Sequence, residues 1–341
     1  LISAHNTGSL VTGLVVGLLP SVLGYKRTLL YFNVLPFIGF AITLLTGNPI
    51  ALFLAILLTG IGRGAVNYYD NQIINFLSRG SAGPLNMLHS FFATGALVAP
   101  FLVLLCTRSG NSGWRTAVYI IISMGIVSMI TSPLMKMNSV SSDGGQVQQA
   151  QKPMGFLRSR KFWITTAIML TYLSIEASIM GWLVTYFIDS GAANEGAAQM
   201  LTALFWIVIL AGRTFCIFLS SRVTPPTFLM FATVGIGGFL IMVLLCQSFV
   251  PLLIGTIGLG LCMAGMYGNT VSNATEVFKE YPLAMGFFVT LTGIGSVAAP
   301  SVIGVIAGHW NMRVGLSVLL VPAALLIATC LINRLPFKKV D

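Results

Sequence analysis

Asp70, Glu176, Arg63 and Arg213 are ionisable residues set inside long apolar runs, where a charge is expensive and a functional role is the default hypothesis. Around two of them lies a regular array of amides. Asn67, Asn71 and Asn75 are four residues apart, one helical turn each, and so share a face. The same arrangement returns 198 residues later, with Asn269 under Asn71 and Asn273 under Asn75. An amide both donates and accepts, which suits a neutral ligand whose hydroxyls do the same; equally, such amides bond helix to helix, where each contributes about a kcal/mol. Arg63 and Asp70 are two turns apart on one face, roughly 10 Å along the axis, able to share a partner without touching. Glu176 lies midway along its run and is a candidate proton carrier, forming and releasing a pair with Arg63, or else a carboxyl held protonated by an interhelical bond. Asp70 is a second carrier candidate, with a structural ion pair to Arg213 as its alternative. His89 is either a substrate contact or a hydrogen-bonded structural residue. Trp182, with Tyr68, Tyr69, Tyr186 and Trp206, offers ring surfaces for stacking on a sugar, or for packing and anchoring at the membrane interface.

The elements that must position these groups are helices in a bilayer. Of 341 residues, 56% are hydrophobic and only 8% charged, against about a quarter charged in soluble domains. Runs long enough to cross about 30 Å of hydrocarbon recur at 7–24, 28–46, 50–77, 84–106, 115–135, 161–188, 197–220, 227–247, 250–275, 282–307 and 314–333, which makes eleven spans. They lack the strict alternation of a transmembrane barrel, so the fold class is all-α and polytopic. The net charge of +10 is a topology signal and not a nucleic-acid footprint. Lys26, Arg27, Arg79, Arg158, Arg160, Lys161 and Arg334 fall on one side, while Arg108, Arg115 and Arg313 fall on the other. The positive-inside rule therefore puts the first side, with the C-terminus, in the cytoplasm.

Several classes drop out. The five cysteines form no CxxC or Cys/His cluster, so neither a disulfide framework nor a metal site is indicated. GIGRG (60–64) and GIGSVA (293–298) lack the strand that a dinucleotide fingerprint requires, and close helix packing accounts for them. No GxSxG, HExxH or P-loop occurs. An enzyme is not expected, nor a cofactor.

An internal repeat organises the chain. GIGRGAVNYYDNQIIN aligns with GLGLCMAGMYGNTVSN, and GALVAP (95–100) with GSVAAP (295–300). The expected division is a transmembrane half over 1–135, a polar cytoplasmic linker over 136–160 and a second half over 161–341. The second half has six spans and the first only five, so a first helix is expected upstream of Leu1. Two parallel six-helix repeats are the architecture of the major facilitator superfamily.

Particular segments carry that resemblance. GLLPSVLGYKR (17–27) resembles the superfamily's loop motif between its second and third helices, with Ser21 where an acid is usual. LNMLHSFFATGALVAP (85–100), YLSIEASIMGWLVTY (172–186) and FWIVILAGR (205–213) resemble the fifth, seventh and eighth helices of its fucose/glucose sugar-symporter branch. In that branch the acid of this helix stands four positions before its Asn, here Asn71; Asp70, directly before Asn71, is off that family position. The resemblance implies a secondary active transporter of a small polar solute, a sugar, working by alternating access with a proton, or sodium, as coupling ion. It implies a monomer in a cell membrane of bacterial inner-membrane type. An exporter of amphipathic compounds and a transport-inactive truncated homologue are the alternatives.

Overall fold

The computed structural model describes residues 2–16, 19, 23–107, 113–134, 154–246 and 248–335. The described chain is helical, with no strand among the described residues. This follows from the solvent: without water, every backbone amide must be satisfied within its own segment. In order, the helices are α1 (Ile2–Val16), α2 (Tyr25–Leu45), α3 (Pro49–Leu77), α4 (Ala82–Thr107), α5 (Gly113–Thr131), α6 (Arg160–Asp189), α7 (Glu195–Leu219), α8 (Pro225–Leu245), α9 (Phe249–Ala264), α10 (Met266–Asn273), α11 (Thr275–Glu280), α12 (Pro282–His309), α13 (Met312–Ser317) and α14 (Leu320–Arg334). Local chemistry sets several starts. Ser159 accepts from the Phe162 amide before α6, Asn194 from Ala197 before α7, and Asn311 from Val314 before α13, each removing one orphan donor of a first turn.

Ten spans among the described residues are long and apolar enough to cross a membrane: α2 to α8, the α9–α10 pair, α12 and the α13–α14 pair. The chain is a multi-pass membrane protein. The eleventh expected span, 7–24, differs: α1 ends at Val16, and the run continues onto residues outside those described. Most of the expected linker, 136–153, and half of the loop motif, with Ser21, also lie outside the described residues.

Contacts gather the chain into two compact units. The first takes Leu1–Leu77, Val98–Leu157 and Glu276–Thr290; the second takes Ser78–Leu97, Arg158–Thr275 and Leu291–Asp341. Thus α4 starts in the second unit and ends in the first, and α12 does the reverse. The division into 1–135 and 161–341 rests on sequence symmetry, and we retain it as a proposal beside these contact units.

In the first unit α1 and α2 both pack along α3, and the glycine string makes this possible. A Cβ on Gly60 would run into the His5 backbone, one on Gly64 into the Ser9 backbone, and one on Gly62 into the Pro36 ring of α2. Because the obstacle at Gly60 is main chain, it cannot swing aside. Gly60→Val should therefore lower stability by at least about 1–3 kcal/mol, whereas Gly95→Ala, with nothing within 4 Å, should not. Thermal unfolding of the two variants in detergent separates them.

In the second unit α6 packs against α7, α10, α13 and α14, and α8 against α9, α10 and α14. Gly295 of α12 meets the Leu170 carbonyl and Ser174 of α6, so the second glycine string is also a close helix contact. The span 250–275 is not one continuous helix. It breaks at Gly265, whose φ of −95° and ψ of 0° end α9 and start α10.

Candidate functional site

The break at Gly265 organises the second unit's polar groups. An interrupted helix frees carbonyls that need outside donors, and two side chains supply them. Tyr172 on α6 donates to the Met263 carbonyl at 3.1 Å, and Arg213 on α7 donates through Nε to the Ala264 carbonyl at 3.3 Å. Both also reach Glu176, one turn beyond Tyr172. The Tyr172 hydroxyl stands 2.7 Å from Glu176 Oε1, so its one proton is shared between this oxygen and the Met263 carbonyl, and Arg213 Nη2 stands 3.2 Å from the same Glu176 oxygen. With Nη1, Arg213 donates to the His89 carbonyl of α4 at 2.9 Å. One guanidinium thus ties α4, α6 and α9 together, using the fixed fork of donors that distinguishes Arg from Lys. The pair is buried, with side-chain exposures of 4% for Arg213 and 11% for Glu176.

Amides line the other side of the break. Asn269 donates to the Gly265 carbonyl at 2.8 Å, while its Oδ1 is buried with no hydrogen-bond partner among the described residues. Asn86, on α4, is fully buried with neither amide atom bonded to any described residue, and its carboxamide lies where a Cβ on Gly268 would stand. One turn along α4, the His89 ring sits 4.0 Å from that of Tyr267. Unsatisfied buried amides are rare and call for an explanation.

A crystal structure decides the fold. FucP, the Escherichia coli fucose:proton symporter of the Major Facilitator Superfamily, solved in the outward conformation, matches 98% of this chain and 89% of its own with a TM-score of 0.79 at 17% identity. The chain has the major facilitator fold. No family model matches the chain. Curated relatives with a transporter name include the mouse sodium-dependent glucose transporter 1A, 22% identical over 77% of this chain and 70% of its own length. The glucose/mannose transporter GlcP of Bacillus subtilis is 23% identical over 81% of this chain and 70% of its own.

Within the major facilitator fold, the sequence-predicted residues fall into separate settings. Glu176 has its cation, but this is Arg213 of the neighbouring helix and not Arg63. Arg63 instead donates to His5 Nε2 at 3.1 Å, and His5 Nδ1 lies 3.0 Å from the Thr59 hydroxyl. That hydroxyl donates to the Ile56 carbonyl, so it accepts from His5, which fixes the neutral Nδ1–H tautomer. The alternative pairing of Asp70 with Arg213 is likewise displaced by Glu176, and no described residue forms an ion pair with Asp70.

The amides divide. Asn71 bonds back to the Asn67 carbonyl and side-chain oxygen, at 2.8 and 3.1 Å. Asn75 is buried on the same helix. Asn273 accepts from Lys161 Nζ at 2.8 Å and donates to Thr165 and Asn333, joining α6, α10 and α14. Among the aromatics, Trp182 donates to the Pro300 carbonyl at 2.9 Å, while Tyr69 and Tyr186 are buried and donate to backbone carbonyls. Asn86, His5 and the hub role of Arg213 escaped sequence reasoning. The signals were present: Asn86 stands one turn before His89 in the family-like segment 85–100, and Arg213 closes FWIVILAGR.

Among the described residues no group of three His, Cys, Asp or Glu could hold a metal ion.

Proposed function

We propose that the chain is a secondary active transporter that moves a small polar solute, a sugar, by alternating access, with a proton as the coupling ion. The observation that carries this reading is the Tyr172–Glu176–Arg213 cluster built on the break at Gly265. In transporters, interrupted helices form substrate and ion sites near mid-membrane, and this one combines a titratable carboxyl with amides. The names of FucP, the glucose transporter and GlcP support the sugar class. Asn269 and Asn71 are the amides assigned to the solute. Glu176 is the coupling group, with Asp70 as the competing candidate. The Lys and Arg asymmetry supports a cytoplasmic linker and C-terminus in a cell membrane. The working unit is a monomer.

A thermal-shift panel of neutral sugars tests the substrate class, because a ligand that binds only the folded state raises stability by about 2.7 kcal/mol at a hundredfold excess over Kd. At least one sugar should raise the midpoint, and amphipathic cations should not. Asn269→Leu or Asn71→Leu should then weaken that sugar by about 1–3 kcal/mol, as for a lost buried hydrogen bond. Unchanged affinity in both, with normal folding, assigns these amides to helix packing.

A further inference from the structure

The break at Gly265 leaves α10 only eight residues long, Met266–Asn273, and two turns of helix are too short to hold themselves. Its neighbour α6 engages it at both ends. At the break, Tyr172 of α6 reaches the Met263 carbonyl, and Arg213 reaches that of Ala264. At the C-terminal end of α10, Lys161 Nζ, in the first turn of α6, donates to Asn273 Oδ1 at 2.8 Å and to Asn333 Oδ1 of α14 at 3.0 Å. Asn273 in turn donates to the Thr165 hydroxyl at 3.2 Å and to Asn333 Oδ1 at 3.1 Å. The two intervals match: Lys161 to Tyr172 covers roughly 16 Å of helix axis and Met263 to Asn273 roughly 15 Å, so one helix grips both ends of the other. The bonds from the Lys161 ammonium are charge-assisted, which is the stronger kind. Asn269, the amide assigned to the solute, stands one turn after Gly265 and one turn before Asn273, midway between the two anchors.

We propose that Lys161 is a positioning residue for solute binding: its ammonium fixes the height and rotation of α10 and so aims Asn269, without meeting the solute itself. The proposal rests on the reading that Asn269 contacts a sugar. Because α6 supplies Lys161, Thr165 and Tyr172 to this grip, α10 moves with α6, and the break at Gly265 lets it do so without turning α9. Methionine at position 161 keeps the length of the side chain and removes its donors, which releases the C-terminal end of α10 alone.

The test follows hydrogen exchange of the full chain in detergent by mass spectrometry. K161M should speed exchange across Met266–Asn273 about ten- to hundredfold, the range for losing bonds to a charged donor, while Phe249–Ala264 keeps the parental rate. R222Q, which removes a cation elsewhere, should leave both segments as in the parent. Thermal-shift titrations with glucose, mannose and fucose then give the functional half. Whichever of these the parent binds should bind about tenfold more weakly to K161M and to N269L, and no more weakly to K161M/N269L than to N269L, because the two residues act through one contact. Parental exchange of Met266–Asn273 in K161M, equal acceleration of Phe249–Ala264, or losses that multiply in the double variant would each overturn the proposal. If the parent binds none of the three sugars, the sugar reading fails, and the exchange result still decides whether Lys161 holds α10. Should K161M not fold, N333L, which removes one of the two ammonium contacts, takes its place: faster exchange of Met266–Asn273 supports the grip, and parental exchange sinks it.

Discussion

Arg213→Gln is expected to cost about 3–5 kcal/mol of stability, and Glu176→Gln in the same chain to restore most of it. The argument rests on what each substitution leaves behind. Removing the guanidinium leaves a carboxylate with 11% side-chain exposure and no cation, and takes donors from the Ala264 and His89 carbonyls. Removing both charges leaves two amides, which can hydrogen-bond each other and carry no uncompensated charge; replacing a buried pair with neutral groups is often close to neutral. Retention of the folded monomer after heating in detergent, read for the two single variants and the double, gives the coupling directly. If the double variant is no more stable than Arg213→Gln alone, the guanidinium's main task is to tie the backbone at the break and not to compensate Glu176.

The second large effect concerns transport. Glu176→Gln should preserve substrate binding and exchange but abolish accumulation driven by a pH gradient. A coupling carboxyl must alternate between ionised and protonated forms during the cycle, and glutamine imitates only the second. Glu176 is suited to this because its partners are few and specific: the Tyr172 hydroxyl at 2.7 Å and Arg213 at 3.2 Å. A rearrangement at the Gly265 break that withdraws Arg213 would part Glu176 from the cation it is paired with. Asp70 has no such partner among the described residues, so its charge has no comparable switch. The assay is uptake into proteoliposomes with and without an imposed gradient. Parental accumulation by Glu176→Gln, together with loss in Asp70→Asn, would reverse the assignment.

The spans and the close contacts of α3 were legible because length, apolarity and glycine spacing are properties of one segment. The partner of Glu176 was not. Periodicity locates a residue along its own helix and on one of its faces, but says nothing of which helix stands opposite; so Arg63, at similar depth, was the cation expected for Glu176, and Arg213 was kept for Asp70. The break at Gly265 was equally hidden. CMAGMYGN reads as ordinary helix, and the chain departs from it because Tyr172 and Arg213, 93 and 52 residues upstream of Gly265, supply donors to the freed carbonyls. Asn273 shows the same limit from the other side. Its symmetry with Asn75 suggested a solute contact, yet its amide is engaged by Lys161 and Asn333, neither of which belongs to the repeat match.

The exchange of helix segments between the two units has a consequence for synthesis. Residues Ser78–Leu97 belong with Arg158–Thr275, which the ribosome has yet to make when α4 enters the bilayer. At about 5–20 residues per second, Asn86 precedes its neighbour Gly268 by roughly ten to forty seconds. For that interval α4 sits in lipid, or against the insertion machinery, with its amide face uncovered. The nascent chain is therefore most open to proteolysis and mispairing between the emergence of α4 and that of α10. Synonymous codons that slow the ribosome over 158–275 should lower the yield of folded protein more than the same codons placed after 275.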